Sequence, residues 1–144
     1  MTKRATERDL TETQHKTSII IDALPSLKQF VGKRVVIKVG GELVEDLEAT
    51  KSFVEDIILL RSVGIKVILV HGGGPQITKL MKRTGKEPTF VKGQRVTDKE
   101  TLELTAMVLL GQVNRTLVSL LNAHGKRAVG VSGIDARIFL CQQK

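Results

Sequence analysis

The stretch VILVHGGGP, Val67–Pro75, decides the fold of this chain. Its first four residues form a continuous apolar run, which is typical of a parallel strand covered by helices on both faces. Gly72, Gly73 and Gly74 let a ligand approach the main-chain N–H groups, and Pro75 suits the first turn of a helix. The stretch predicts a buried strand, a turn that holds a phosphate or carboxylate, and a helix. The alternative is a turn whose glycines serve packing alone.

A second glycine turn is predicted at the same edge of the sheet. The strand RVVIKV, Arg34–Val39, stops at Gly40 and Gly41. A helix at residues 48–62, ended by Gly64, then leads to the strand at residues 65–70. A strand, helix and parallel strand form a right-handed unit, so both glycine turns leave one edge of the sheet. Two glycine turns at one cleft favour a ligand site.

Three polar side chains are candidate functional residues. Lys38 lies near the carboxyl end of a strand, where ligands of open α/β sheets gather, and a lysine there can hold a phosphate. The alternative is a surface lysine that lies along the sheet edge. Arg95 precedes a helix start marked by Thr97 and Glu100 at capping-box spacing, so it either holds a carboxylate or is plain surface. His71 is interpreted as an orienting or packing residue rather than a general base, because no Cys, Ser or Asp partner accompanies it at recognisable spacing.

The other elements follow from helical spacing and glycines. Residues 1–30 form a segment with a kinked helix at Arg8–Phe30, interrupted by Pro25, which either lies loosely on the domain or packs on another subunit. The α/β domain covers residues 31–144. Its further predicted elements are a helix at Pro75–Arg83, a hairpin or irregular stretch at Thr84–Gln94 with a short strand at Phe90–Val91, two helices at Leu102–Leu110 and Val113–Leu121 joined at Gly111, and strands at Arg127–Val131 and Arg137–Cys141.

Composition excludes several classes of protein. The 144 residues are 41% apolar and 26% charged, as in a soluble globular domain. The single cysteine, Cys141, excludes a disulfide scaffold, and the absence of a long apolar run or a signal peptide predicts a cytoplasmic protein. The net charge is +8, but with four aromatic residues and no dense basic run we expect neither nucleic acid nor membrane as a partner. No cluster of metal ligands is visible.

Taken in order, these motifs resemble those of the amino acid kinase family, and within it the kinases of N-acetylglutamate. The resemblance rests on IKVGG at 37–41, VHGGGPQI at 70–77, RVTD at 95–98 and GQVN at 111–114, and it covers about residues 30–140. It implies an α/β fold with an open, mostly parallel sheet sandwiched by helices.

The resemblance also implies an activity. This is phosphorylation of the side-chain carboxylate of N-acetyl-L-glutamate by ATP with Mg²⁺, the second step of arginine biosynthesis. The residues that it implies are the catalytic Lys38, the phosphate-binding Gly40, Gly41 and Gly74, and the substrate-binding Gly73, Gly74 and Arg95.

Partners and departures follow from the same resemblance. It implies a homodimer built on the helices at residues 102–121, and a hexamer interlaced by the segment before Lys33. Family members continue past Lys144 into an ATP-binding half, so we expect that half to be absent here or to lie on another chain. Glu42 and Ile134 depart from the family pattern. Two alternatives stay open, a non-catalytic amino-acid-binding or regulatory module and a kinase of an aminoadipate-type substrate.

Overall fold

A computed structural model describes residues 3–125 and 128–142 of the chain. Its elements, in order, are helix α1 (Lys3–Lys28), strand β1 (Arg34–Val39), helices α2 (Gly41–Glu45) and α3 (Leu47–Ser62), strand β2 (Lys66–His71), helix α4 (Gly74–Arg83), strands β3 (Phe90–Val91) and β4 (Gln94–Arg95), helix α5 (Lys99–Ala106), a π-helical segment (Met107–Asn114), helix α6 (Arg115–Ala123) and a 3-10 turn (Asp135–Arg137).

The central sheet pairs β1 with β2 in parallel, with Arg34 opposite Lys66 and Val39 opposite His71. This confirms the predicted strand, helix and parallel strand. The prediction that helices cover both faces is wrong for the described residues, because Val36 is 64% exposed and Ile68 47% exposed on one face. The apolar run is therefore that of a strand whose second face is open to solvent.

Two apolar clusters on the covered face form the core. In the first, α4 packs on the π-helical segment and its flanking helices through Ile77, Met81, Leu104, Val108, Val113 and Leu117. In the second, α3 packs on α6 through Val54, Ile57 and Leu121. Leu69 of β2 touches both clusters. The side chains at odd-numbered positions of β1 and β2 thus pack the sheet against the helices.

One continuous helix runs over Lys99–Ala123, so the predicted break at Gly111 is wrong. A glycine in a helix costs only about 1 kcal/mol relative to alanine, which the packing of neighbouring apolar side chains outweighs. Buried residues recur every four positions at Leu104, Val108, Val113 and Leu117, except for one step of five within the π-helical segment. The wider π turn keeps this apolar stripe facing the core.

The helix over Lys99–Ala123 resembles a membrane span in length and composition. Among the described residues it is the helix that is long and apolar enough to cross a bilayer by length and composition. One of its faces, however, supplies Val108, Val113 and Leu117 to the first core cluster. It is therefore interpreted as a core helix.

The hairpin and the next helix start refine two predictions. β3 and β4 pair antiparallel across Lys92 and Gly93, whose φ angles of 49° and 77° suit the type I′ turn of a two-residue hairpin. The N-cap of α5 is Asp98, whose side chain accepts a hydrogen bond from the Thr101 N–H at 2.8 Å. The prediction of Thr97 as the cap is wrong, because the carboxylate one position later reaches the free N–H group.

The two ends of the chain carry exposed apolar residues. Helix α1 runs through Pro25 and ends at Lys28, and from Leu10 onward its apolar side chains are exposed at Leu10, Ile19, Ile20, Ile21 and Leu24. The strands predicted at 127–131 and 137–141 do not form at residues 128–131 and 137–141, while Arg127 lies outside the described residues. A strand requires a neighbour for its N–H and C=O groups, and in the described part of the chain none pairs with these segments.

A candidate active site at two glycine turns

The two glycine turns are in direct contact at the carboxyl edge of the sheet. The Gly72 N–H donates a hydrogen bond to the Val39 carbonyl at 2.9 Å. A Cβ atom on Gly41 would lie 2.8 Å from Pro75 Cδ and 2.9 Å from Gly73 Cα. No side chain fits between the turns, so glycine at position 41 is required by the close approach of the two backbones.

Gln76 connects the two glycine turns through a hydrogen bond of its side chain. Its Nε2 donates a hydrogen bond of 2.7 Å to the Gly41 carbonyl, and the side chain is buried. Sequence analysis missed this residue as part of the site. Gln76 is the third residue of α4, where a glutamine typically reaches back to its own N-cap. Its true partner lies in a distant part of the chain, and no local pattern identifies it.

The turn after β2 is packed on one side and open on the other. A Cβ on Gly73 would meet Leu109 Cδ2 at 2.7 Å and Val113 Cγ2 at 3.2 Å, both on the π-helical segment. A Cβ on Gly74 would meet nothing within 4 Å. No side chain caps α4, which begins at Gly74. In the first turn of this helix Pro75 has no N–H group and Gln76 is buried, so the exposed Gly74 contributes the accessible backbone N–H, the kind of donor that anion sites use.

The guanidinium of Arg95 is held against the start of α4 rather than against α5. Its Nη2 donates to Thr78 Oγ1 at 2.8 Å and to the Gly74 carbonyl at 3.2 Å. The Phe90 ring, on the residue paired with Arg95 across the hairpin, lies 4.7 Å from the guanidinium carbon. Sequence reasoning found Arg95 but not its anchors, because they come from α4 and β3.

An ion-pair cluster fixes the loop that carries Arg95. Lys86 Nζ lies 2.7 Å from both Asp98 Oδ2 and Glu100 Oε2. The hydrogen bonds from Lys86 and from the Thr101 N–H hold the pKa of Asp98 well below its ordinary value of 3.8. The same two carboxylates raise the pKa of Lys86. The segment that follows α4 is thereby tied to the start of α5, on either side of the hairpin.

Lys38 and Gly40 lie at the same edge of the sheet but are less enclosed. Lys38 is exposed on the open face of β1, opposite Val70 in register. Gly40 precedes α2, and a Cβ there would lie 2.7 Å from a carboxylate oxygen of Glu42. The structure thus brings Gly41, Gly73, Gly74 and Arg95 together, with Lys38 on the adjoining face.

His71 is a further polar residue of the site. Its Nε2 lies 3.3 Å from Asn114 Nδ2, at the end of the π-helical segment, and its Nδ1 lies 3.2 Å from the Gly72 carbonyl. These contacts suit an orienting role for the imidazole. Within residues 3–125 and 128–142, no group of three or more His, Cys, Asp or Glu side chains is arranged to hold a metal ion.

Comparison with known proteins identifies the fold. The model of the amino acid kinase family matches residues 33–143. The chain is 51% identical over 132 residues to an acetylglutamate kinase of Acidothermus cellulolyticus, covering 92% of this chain and 45% of that protein. It is 46% identical over 129 residues to an acetylglutamate kinase of Methanothrix thermoacetophila, covering 90% of this chain and 45% of that protein.

A solved structure gives the same result. The N-acetylglutamate synthase of Neisseria gonorrhoeae, solved with coenzyme A and N-acetyl-glutamate, is similar with a TM-score of 0.63 and 28% identity. The similarity covers 73% of this chain and 24% of the synthase. This chain spans less than half the length of the curated kinases quoted above. The family match covers most of this chain, including both glycine turns and Arg95, and the chain therefore belongs to the amino acid kinase family.

Proposed function

We propose that this chain is the acetylglutamate-binding half of a kinase that transfers the γ-phosphoryl group of ATP to the side-chain carboxylate of N-acetyl-L-glutamate. The observation that carries the proposal is the Arg95 guanidinium, fixed 3.2 Å from the Gly74 carbonyl at the open start of α4. A fixed cation beside the exposed Gly74 N–H is suited to a carboxylate. The identity of the substrate is taken from the names of the similar kinases.

Each end of the substrate has a partner in this proposal. Arg95 pairs with the α-carboxylate, and Gly73 and Gly74 contact the rest of the acylamino acid. The side-chain carboxylate then lies toward Gly41. The synthase that this chain matches over 24% of the synthase's length was solved with N-acetyl-glutamate, so this class of ligand occurs in a protein that contains the fold.

The reaction needs no general base. A glutamate-type carboxyl has a pKa of about 4.3 and is ionised at neutral pH. Its oxygen forms a bond to the γ-phosphorus as the bond between that phosphorus and the ADP oxygen breaks. Catalysis is then positioning and neutralisation of charge on the transferring group. Lys38 supplies the positive charge, and Gly40, Gly41 and Gly74 supply N–H groups.

The nucleotide enters as a substrate. Mg²⁺ travels with the phosphates of ATP and is held largely through them. The donor set on this chain fits the phosphate end, since lysine and glycine N–H groups bind phosphate oxygens. We assign the adenosine end to the second half of the kinase, on this polypeptide or another.

The assembly and its location are part of the same proposal. The exposed Leu102 and Met107 lie on the long helix and suit a homodimer contact there. The exposed apolar side chains of α1 suit a second contact that joins dimers into a hexamer. The enzyme acts in the cytoplasm in arginine biosynthesis.

The test is calorimetric titration of the 144-residue chain with N-acetyl-L-glutamate, L-glutamate and MgATP in separate experiments. N-acetyl-L-glutamate is expected to bind, and Arg95→Ala to weaken it. L-glutamate is expected to bind less tightly because it lacks the acetyl group. Equal binding of the two amino acids, or no binding of N-acetyl-L-glutamate, contradicts the proposal.

A second candidate is a non-catalytic module that binds acylamino acids. The observation behind it is that the fold also occurs in a synthase, a protein whose named activity is not phosphoryl transfer. Phosphoryl transfer separates the two functions. The chain is mixed with the part of the Acidothermus cellulolyticus relative that the match does not cover, and formation of ADP is followed. Turnover that depends on N-acetyl-L-glutamate supports the kinase, whereas ligand binding without turnover supports the module.

A further inference from the structure

Gln76 is a buried polar side chain between the two glycine turns, only 7% exposed. Its Nε2 donates to the Gly41 carbonyl at 2.7 Å, across 35 positions of sequence. A carbonyl oxygen can only accept a hydrogen bond, so the amide group must present its NH₂ end to Gly41. The orientation of the amide is therefore fixed by chemistry.

The other end of the amide has no such partner. Gln76 Oε1 is buried and accepts no hydrogen bond from the described residues. It lies 2.8 Å from the place where a Cβ on Gly41 would stand and 3.7 Å from the corresponding place on Gly73. A buried acceptor without a donor is unfavourable, and native proteins contain few of them. An apolar side chain of the same volume would remove this cost together with the hydrogen bond to Gly41, and the two effects are of similar size, so stability alone does not explain glutamine at this position.

We propose that Gln76 is a positioning residue for the ligand of the glycine turns. By holding the Gly41 carbonyl, it fixes the peptide plane that follows Gly41 and sets the backbone rotation of that residue. The N–H groups of the Gly40–Gly41 turn then converge with the Gly74 N–H on one anionic group. The inference rests on the proposed function, because that ligand is N-acetyl-L-glutamate or the phosphoryl group it receives.

The proposal predicts that ligand affinity and stability respond differently when Gln76 is replaced. Gln76→Leu and Gln76→Met keep the volume, remove the unpaired oxygen and remove the donor to Gly41. Losing the unpaired oxygen offsets losing the hydrogen bond, so Tm is expected to stay close to that of the unsubstituted chain. Affinity for N-acetyl-L-glutamate is expected to fall about two- to tenfold, the effect of one hydrogen bond of ordinary net strength.

Asn122→Leu is the matched control. The Asn122 amide also ties backbone, accepting from the Ala128 N–H at 2.8 Å and donating to the Ala128 carbonyl at 3.1 Å. It lies at the far end of α6. This variant is expected to lower Tm and leave affinity unchanged, the reverse of the result expected at position 76. A fall in Tm with unchanged affinity in both Gln76 variants would overturn the proposal.

A readout without ligand separates this inference from the proposed function. In ¹⁵N–¹H NMR spectra, the amide signals of Gly41 and Gly72 are expected to shift in Gln76→Leu, while those of Gly85 and Gly125 stay in place. Unshifted Gly41 and Gly72 signals overturn the positioning role even where the unsubstituted chain binds its ligand. If that chain does not bind N-acetyl-L-glutamate, the proposed function fails, and the glycine signals still decide whether Gln76 sets the turn.

Discussion

Asn114 Nδ2 lies 3.3 Å from His71 Nε2, which joins the end of the π-helical segment to the end of strand β2. The amide nitrogen of Asn114 can only donate a hydrogen bond, so His71 Nε2 must accept it. His71 Nδ1 then carries the proton and donates to the Gly72 carbonyl. These two hydrogen bonds hold the second glycine turn in place, and they require the His71 tautomer that carries its proton on Nδ1.

Asn114→Leu is therefore expected to release His71 from this single tautomer. The ¹⁵N shifts of the imidazole should move from those of the Nδ1–H form toward a mixture of both neutral forms. Affinity for N-acetyl-L-glutamate should fall about fivefold, the net value of one hydrogen bond. Imidazole shifts equal to those of the unsubstituted chain would show that Asn114 does not select the tautomer.

Arg95→Ala is expected to weaken binding of N-acetyl-L-glutamate by about one to two orders of magnitude, since hydrogen bonds to charged groups are the stronger ones. Arg95→Lys should recover only part of the loss, because an ammonium cannot bond a carboxylate in a bidentate manner. Calorimetric titration measures both variants. Thr78→Val, which removes the 2.8 Å contact of the guanidinium, should give an intermediate loss. Affinity unchanged in Arg95→Ala would count against Arg95 as the carboxylate partner.

Lys38→Ala is expected to lower kcat by about two to three orders of magnitude in an active assembly, the usual effect of removing one charge-stabilising donor. KM for N-acetyl-L-glutamate should change little, because Lys38 acts on the phosphoryl group. Steady-state kinetics separate the two parameters. Lys66→Ala is the matched control, since Lys66 is another exposed lysine on the same face of the sheet. A kcat as low in Lys66→Ala would point to a general loss of charge instead.

Gly111→Ala is expected to stabilise the protein by about 0.5–1 kcal/mol, the difference between the two residues in a helix interior. A Cβ at this position would meet nothing within 4 Å. Urea unfolding measures the change. If Gly111 were instead the hinge between two helices, the alanine would be neutral or destabilising.

Asp98→Asn and Asp98→Ala test the ion-pair cluster by pH. Because the pKa of Asp98 is lowered in the folded state, its contribution is complete above about pH 5 and is lost progressively as the pH falls below the ordinary value of 3.8. The raised pKa of Lys86 gives the opposite sign, so that contribution is lost only at strongly alkaline pH. Both variants should lower Tm at pH 7, Asn less than Ala because asparagine still caps α5.

The difference in Tm between the unsubstituted chain and Asp98→Asn should shrink as the pH is lowered from 5 to 3. Thermal unfolding followed by circular dichroism across that range provides the measurement. A difference that stays constant with pH would mean that the ion pair with Lys86 contributes nothing to folding.

Local chemistry made several elements predictable. The positions of strands β1 and β2, of the intervening helix and of the start of α4 follow from signals within a few residues, and of the two alternatives at Thr84–Gln94 the hairpin formed. Glycines, a proline and helical spacing are sufficient signals for such elements. Thr97 was mistaken for the cap because two capping residues stand side by side and only backbone geometry chooses between them.

The errors at Gly111 and after Gly125 have a different cause. A glycine in an apolar segment reads as a break, but packing of Val108 and Val113 into the core carries the helix through it. The apolar stretches near Val129 and Leu140 read as strands, yet a strand exists only where a neighbour accepts and donates its hydrogen bonds. Neither outcome is encoded within a short window of sequence.

By itself, the sequence determined that this chain has a parallel strand pair ending in two glycine turns, and that Lys38 lies near the first of them. It did so because the backbone freedom of glycine and the period of apolar residues are local properties. Tertiary structure alone decided that Gln76 reaches Gly41, that Asn114 reaches His71 and that Arg95 rests on α4. Those contacts join residues distant in sequence, and they form only when the helices pack on the sheet and exclude water.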